Sequence, residues 1–468
     1  MAFPRKVSPL PGFEGVRDQV LSHPRLAGIR DDEVAEYLAG LNDGYFASVR
    51  YATSHPSPYI QPRGGYATFN RQKQLTQALS EAGADILPLT IDSYTRQNDY
   101  ERAQLLLEKS DEQGKDYLNG YPLVNHGFEI TRELFSGLNK PVSLRHGTPD
   151  ARVLVEIAIA SGITEIEGGG ISYCLPYSMS YPLDRALLNW QYVDRLAAQY
   201  STPERPIHRE FFGPLTGTMV PPAMMIAVSI IELLLSAEQG VSSATVAFSQ
   251  TGSLPQDVAT ADVLRALSAK YLLQNGFSHM KVYLAYHHWM GAFPKDRRKA
   301  EYLMACASLT AKLIRADKVI TKTRDEAWGI PTIEANVEAV QEALYVMSKF
   351  SSPDPLVSLN IDRERSLITR EATSIVDAVL DIPGNSFWYA VNRAVQKGII
   401  DVPFAPNLAN RNRLLTVRDS NLSIRIKSAG NVPLDKTAIQ EEQDMLQLYP
   451  PFFKSTADQM LGDINAML

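Results

Sequence analysis

Three arginines each follow a strand-like run. Arg63 follows Tyr59-Ile-Gln-Pro, Arg96 lies just past Ile86-Leu-Pro-Leu-Thr-Ile-Asp, and Arg145 ends Pro141-Val-Ser-Leu. A guanidinium is a planar fork of donors that fits a carboxylate or phosphate in a bidentate way. If the runs are parallel strands of one sheet, their carboxyl ends share a face and the three forks converge on a small ligand with more than one anionic group. The commonest fate of an arginine is a surface ion pair with a helix carboxylate. Against that, Gly64 and Gly65 follow Arg63 and Gly147 follows His146, and glycine lets a ligand approach the backbone closely.

Glu167-Gly-Gly-Gly-Ile-Ser-Tyr is the second constellation. A carboxylate closes a β-run and the next three positions lack side chains, at a cost in conformational entropy that a planar ligand lying on the backbone would explain. Glu167 is placed to accept a hydrogen bond or a proton from a substrate amine; a loop-capping role is the plain alternative. Tyr173 and Tyr177 flank Pro176 and could donate phenolic hydrogen bonds to an anion, or be core tyrosines. Lys322 and Glu326, four apart after Val319-Ile-Thr, would share a face on a helical turn. They read as a surface salt bridge or, with Lys322 closing a last barrel strand, as a Schiff-base nucleophile and its partner. His126, His146, His287 and His288 show no metal spacing with a carboxylate third ligand, so no protein-bound metal is expected.

The elements that must position these groups alternate in type. The β-rich runs are 59–63, 86–92, 122–125, 142–145, 163–167, 207–212, 244–249, 280–285 and 319–322, with helical patterns such as 151–160 and 261–273 between them. Such alternation argues for a parallel α/β sheet. Eight of the nine runs would close a (β/α)8 TIM-type barrel, with 122–125 as an extended loop. Polar clusters follow almost every strand, as at the loop-built mouth of a barrel, rather than gathering at one switch point. No GxGxxG or P-loop pattern follows a strand. The expected organisation is an N-terminal wrapping arm over 1–58, the barrel over 59–350, a break at Ser351-Ser-Pro-Asp-Pro, and a smaller α-rich C-terminal segment over 351–468.

The 468 residues, 45% hydrophobic and 21% charged, allow a barrel-sized core plus further units. A net charge of -6 argues against nucleic acid as a partner. Two cysteines, Cys174 and Cys306, suggest no disulfide framework and fit a reducing cytoplasm. The N-terminus lacks the apolar stretch of a signal peptide. The longest apolar stretch, Ala223 to Leu235, spans 13 residues with Glu232 inside it, and reads as a buried helix rather than a membrane span.

Tyr94-Thr-Arg96, Asn119-Gly-Tyr-Pro-Leu-Val-Asn-His-Gly, Arg145-His-Gly-Thr-Pro-Asp-Ala-Arg, Glu167-Gly-Gly-Gly-Ile-Ser-Tyr, Trp190-Gln-Tyr, Phe212-Gly-Pro-Leu-Thr-Gly, His288-Trp-Met-Gly and Lys322-Thr with Gly329-Ile-Pro-Thr together resemble the large, or epsilon, subunits of glutamate mutase (methylaspartate mutase). Motifs in this order carry the resemblance from about residue 59 to about residue 340. It implies an adenosylcobalamin-dependent radical rearrangement that interconverts L-glutamate and (2S,3S)-3-methylaspartate by fragmentation to a glycyl radical and acrylate. It implies Arg63, Arg96, Arg145, His146, Tyr173 and Tyr177 as substrate contacts, with Glu167 meeting the amine as its base. It implies Gly65, Asn119, Pro176, Phe293, Lys322, Glu326 and Ile330 on the cofactor side. The cofactor would lie between this barrel and a small sigma subunit, in an ε2σ2 assembly containing a homodimer of this chain.

The chain departs from the family pattern at Cys174, where Asn is expected, at Ala292, where Gly is expected, and at His287-His288, where His-Gln is usual. None of the eight histidines has Asp two positions before it, so the Asp-x-His-x-x-Gly motif that supplies a lower axial ligand is expected on the small subunit. A Schiff-base lyase using Lys322, which borohydride would trap, and a non-catalytic amino-acid-binding barrel are the competing expectations.

Overall fold

Eight short, largely buried runs form the strands β1 (Tyr59–Gln61), β2 (Leu87–Thr90), β3 (Val142–Arg145), β4 (Glu165–Glu167), β5 (His208–Phe211), β6 (Ser243–Ser249), β7 (Lys281–His287) and β8 (Lys318–Ile320). The computed structural model describes residues 12–213, 218–349, 361–384, 386–452, 458, 462, 463 and 465–467. The strands form one sheet in the order β1-β8-β7-β6-β5-β4-β3-β2, every pair parallel. No ladder joins β1 to β2, but the amides of Ile86 and Thr90 donate to the carbonyls of Ile60 and Gly64 at 3.2 and 3.1 Å and bridge the seam. Helices surround this nearly closed TIM-type barrel, which is the expected fold class. All strand ends that carry the candidate residues therefore open on one face.

Residues 122–125 are not an extended loop. Tyr121 pairs with Ile91 in a single bridge, and the chain then turns into the helix Leu123–Phe135. The C-terminal part, expected to be α-rich, also contains an antiparallel hairpin of β9 (Leu415–Arg418) and β10 (Ile424–Ser428). The expected break at 351–355 and the Pro214–Gly217 end of the Phe212 motif lie outside the described residues.

The helices Phe13–Leu21, Asp31–Gly40 and Ala47–Ala52 pack against the barrel. Buried Arg17 pairs with Glu156 of the helix Arg152–Ala160 at 2.9 Å and with Asp31. Tyr51 reaches the amino-terminal end of the barrel, where its hydroxyl donates to Glu165 Oε2 at 3.2 Å. The apolar stretch around Glu232 lies in the helix Pro222–Glu238, every residue of which is buried. The helix Ile361–Leu380 packs over it and over Leu254–Gln274. No helix among the described residues is long and apolar enough to cross a membrane.

The interior is unusual for such a barrel. Branched apolar side chains normally fill it in layers. Here the inward positions of β3, β4, β5 and β8 carry Ser143 and Arg145, Glu165 and Glu167, His208 and Glu210, and Lys318, all buried. Burying charge is costly unless each ion is paired and hydrogen-bonded, and these are. Lys318 Nζ pairs with both Glu165 and Glu210 and donates to Gln61 Oε1 at 2.8 Å. Arg145 pairs with Glu210 at 3.2 Å and with Glu167. A continuous ion ladder thus rises from the bottom of the barrel to its mouth.

Candidate functional site

The mouth gathers all three arginines. Arg63 lies two residues past β1 and Arg145 is the last residue of β3. Arg96 ends a one-turn helix, Ser93–Arg96, whose first amides are capped by Asp92 at 2.8 and 3.0 Å. Arg96 Nε donates to the carbonyl of Ile91 at 2.6 Å, which fixes the guanidinium and leaves its outer fork facing away from the backbone. Neither Arg63 nor Arg96 has a carboxylate ion-pair partner among the described residues. Burial and the nearby charge of Arg63 both push the Arg96 pKa down. Two like charges held together without a counter-ion form an anion site. The third arginine differs from expectation: Arg145 is buried and already neutralised by Glu167 and Glu210.

Glu167, the last residue of β4, is buried at 2% exposure. Burial raises its pKa, Arg145 opposes that, and Glu210 adds to it, leaving the carboxyl above its usual range. His146 follows Arg145 and stacks on Trp190 with ring centroids 5.6 Å apart. Burial and the charges of Arg96, Arg209 and Arg145 hold it well below its usual pKa, so the ring is neutral. Its Nδ1 accepts from the Thr148 amide at 3.3 Å, which places the ring proton on Nε2. That buried Nε2 makes no close hydrogen bond, although the Glu167 backbone acts on the ring, so its proton can turn to a ligand. Tyr173 is buried edge-on to both His146 and Tyr177, with centroids at 5.1 and 5.6 Å. Tyr177 is half-exposed, and the charges of Arg63, Arg96 and Arg145 all act on its phenol, against a larger burial effect that raises its pKa.

The loop that carries these tyrosines is held from outside the barrel. The carbonyls of Leu175 and Met179 accept from the amides of Asn407 and Leu408 at 3.3 and 3.0 Å. Asn407 Nδ2 donates to the carbonyl of Ser178 at 2.8 Å and to the sulfur of buried Cys174 at 3.5 Å.

The remaining expected positions lie on neighbouring loops at the same end. Lys322 and Glu326 pair with each other on the turn after β8, largely buried rather than on the surface, and Lys322 Nζ stands 5.7 Å from the ring centroid of Phe293. Burial lowers the Lys322 pKa, with Glu326 opposing. Asn119 Oδ1 accepts from the Ser93 amide at 2.9 Å and so steadies the turn of Arg96. A side chain at Gly65 would collide with the carbonyl of Thr90, so this glycine is needed where two mouth loops touch. Pro176, on the tyrosine loop, is half-buried, and Ile330 is 43% exposed beside Trp328 at 63%. The His287–His288 pair splits: His288 accepts from the Lys322 amide at 3.3 Å, whereas His287 faces the ladder 3.7 Å from Glu210.

The triple glycine has a different cause from the expected one. A Cβ at Gly168 would meet Trp190 and Tyr173, at Gly169 the carboxyl of Glu232, and at Gly170 the backbone of Leu187 at 2.9 Å. Protein, not ligand, fills that space. Glu232 accepts from the amides of Ile171 and Ser172, both at 2.8 Å, and caps the turn that leads to Tyr173. Gly169→Ala should therefore destabilise the fold by about 1–3 kcal/mol through overpacking, read as a lowered Tm; an unchanged Tm would contradict this packing argument.

Sequence reasoning missed Glu165, Glu210 and Lys318, and weighed His287 only as a metal ligand. The signal was present: charged residues repeat at every second position in Glu165-Ile-Glu167 and His208-Arg-Glu210, and period two on a strand means one face. One ligand atom each of Glu167, Glu210 and His287 lies within 4.8 Å of the others. Arg145 and Lys318 supply cations to those carboxylates.

Over residues 43–448 the chain matches the family described as Methylaspartate mutase E chain (MutE). It is 40% identical over 416 residues to the glutamate mutase epsilon subunit of Yersinia enterocolitica, covering 87% of this chain and 85% of that one. It is 38% identical over 454 residues to the glutamate mutase epsilon subunit of Treponema denticola, covering 96% and 93%. A third relative of the same description, from Halobacterium salinarum, is 42% identical over 376 residues, covering 80% and 78%.

Proposed function

The chain belongs to the methylaspartate mutase E chain family, and we propose that its barrel mouth binds L-glutamate and (2S,3S)-3-methylaspartate at the arginine cluster. It is an isomerase, the catalytic epsilon-type subunit of a glutamate mutase.

Charge matching is the observation that carries the substrate assignment. The ladder contains three carboxylates, Glu165, Glu167 and Glu210, against two cations, Lys318 and Arg145. It lacks one positive charge. Among the described residues the rim holds Arg63 and Arg96 in no ion pair with a carboxylate, so it can take two negative charges. Glutamate and methylaspartate each bring one ammonium and two carboxylates. The ammonium meets Glu167, the carboxylates meet the Arg63 and Arg96 forks, and His146 Nε2–H and the Tyr177 hydroxyl donate the remaining hydrogen bonds. The raised pKa of Glu167 suits a group that takes and returns an ammonium proton. Tyr173, packed against His146 and Trp190, turns its hydroxyl to Glu167 and helps hold the carboxylate that meets the amine.

The family is cobalamin-dependent, and the cofactor assigned here is adenosylcobalamin. Its fit rests on the paired Lys322 and Glu326 beside Phe293 and on the exposed apolar Trp328 and Ile330 at the rim. The paired Lys322 and Glu326 would hold polar groups of the adenosyl moiety, and Gly65, Asn119, Pro176, Phe293 and Ile330 would line its seat. When bound, that group supplies the radical that removes a substrate hydrogen. Lys322 is committed to Glu326, which favours this role over Schiff-base chemistry. The absence of Asp-x-His-x-x-Gly from this chain supports a separate sigma-type subunit as source of the lower axial histidine, in an ε2σ2 assembly. The two cysteines form no disulfide, which supports a cytoplasmic location.

The deciding experiment supplies the purified chain with adenosylcobalamin and glutamate, with and without a small cobalamin-binding protein carrying Asp-x-His-x-x-Gly. Methylaspartate should form only when both chains are present. Substantial turnover by this chain with cofactor alone would refute the two-chain assignment.

A further inference from the structure

Arg145 is shared between two buried carboxylates held in different ways: Glu210 by a second cation, Glu167 by the Tyr173 hydroxyl. Glu167 takes Nη2, has Arg145 as its only ion-pair partner among the described residues, and is followed directly by Gly168. Glu210, on β5 opposite Glu167 in the strand register, takes Nη1 at 3.2 Å. It is also gripped from below by Lys318, itself fixed by Glu165 and Gln61. The side chains of Glu210, Lys318 and Glu165 are fully excluded from solvent. His287, 3.7 Å from Glu210, is held neutral by burial and the neighbouring Arg145, so it adds no competing cation.

We infer that Glu210 is a positioning residue: braced by Lys318, it keeps the Arg145 guanidinium in place while Glu167 exchanges that guanidinium for the substrate ammonium. The inference rests on the glutamate site proposed above. A single carboxylate could not serve both ends of the exchange. If Glu167 alone held Arg145, moving toward the ammonium would leave a buried guanidinium unpaired, a strongly unfavourable state. With Glu210 in place, Arg145 stays neutralised and its Nη2 becomes a donor for the incoming substrate. Glu210 also acts on Glu167 directly, since its negative charge opposes ionisation of its neighbour.

Glu210→Gln keeps the shape and an acceptor for Arg145 but removes the charge. Arg145 then depends on Glu167 alone, which ties Glu167 down. Glutamate binding should weaken roughly 30-fold or more, seen in calorimetry on the assembled enzyme and as a raised KM, with a smaller change in kcat. The acid limb of kcat/KM should also move to lower pH, because removing a like charge lowers the pKa of Glu167; its other facing groups, Arg145, Tyr173 and Arg63, are unchanged. A purely structural role would lower Tm without moving that limb.

A second variant carries the test if Glu210→Gln does not fold. Lys318→Met with Glu165→Gln removes one charge of each sign, leaves the ladder's net charge unchanged and frees Glu210 from below. It should raise KM in the same way. A wild-type KM and an unmoved acid limb in either folded variant would overturn the inference, as would loss of folded protein in both, which would make Glu210 a folding residue only. Failure of the wild-type enzyme to bind glutamate would instead overturn the site itself.

Discussion

Glu167→Gln should lower kcat by about 100-fold to 10,000-fold, the range typical of a positioned acid–base group, more than it raises KM, and with no loss of thermal stability. The kinetic part follows from chemistry: the amide keeps the shape and an acceptor for Arg145 but cannot hold the ammonium proton while the substrate fragments. The loss therefore falls on the transition state more than on the bound ground state. The stability part follows from the ladder. Glu167 is the surplus carboxylate among three that face two cations, and burial already holds its pKa up. Removing its charge leaves Arg145 paired with Glu210 and Lys318 with Glu165 and Glu210. A glutamate that merely capped a loop would behave in the opposite way, with near-normal kcat in the folded fraction and a lowered Tm. Measuring both quantities on one preparation decides between the two roles.

Arg96→Lys should cost about 2–4 kcal/mol in transition-state binding, or roughly 30-fold to 1,000-fold in kcat/KM on glutamate. Lysine keeps the charge but loses the bidentate fork. It also loses the Nε–H bond to Ile91 that aims the side chain, so the ammonium would be free to relax toward solvent. Arg63, left as the one unpaired guanidinium fork on the rim among the described residues, cannot grip two carboxylates. Kinetics on glutamate equal to wild type would show that Arg96 does not hold substrate.

The placement of the arginines was readable because it needs only local information. A strand-like run followed by arginine, repeated three times, puts guanidiniums at one end of any parallel sheet. The same logic found Glu167. The ladder was not found, although its period-two spacing is plain in hindsight, because charges inside a strand read as a break in an apolar core. Their sense appears only when Lys318 of the last strand meets Glu165 of the fourth, a partnership between residues 153 positions apart. The triple glycine was misread for a similar reason. Its neighbours, Leu187, Trp190 and Glu232, are remote in sequence, so the crowding that demands glycine could not be seen. The β9–β10 hairpin was masked by the helical periodicity on both sides of it. It joins two strands of four and five residues with an irregular register, too little pattern to stand out.

The grip of Asn407 and Leu408 on the loop from Leu175 to Met179 bears on how such a protein can change over generations. A barrel enzyme usually diversifies by altering the loops at its own mouth, one at a time, with the rest as scaffold. Here the loop that presents Tyr177 answers to residues more than two hundred positions downstream, beyond the last stave. The cysteine at position 174 is itself part of that grip through Asn407. A drift at Asn407 therefore loosens the whole loop, whereas the loop, held by its main-chain carbonyls, depends on its own side chains for this grip only at Cys174. Splitting the gene between barrel and tail, or grafting the barrel onto a different tail, would carry away half of the device that shapes the substrate wall.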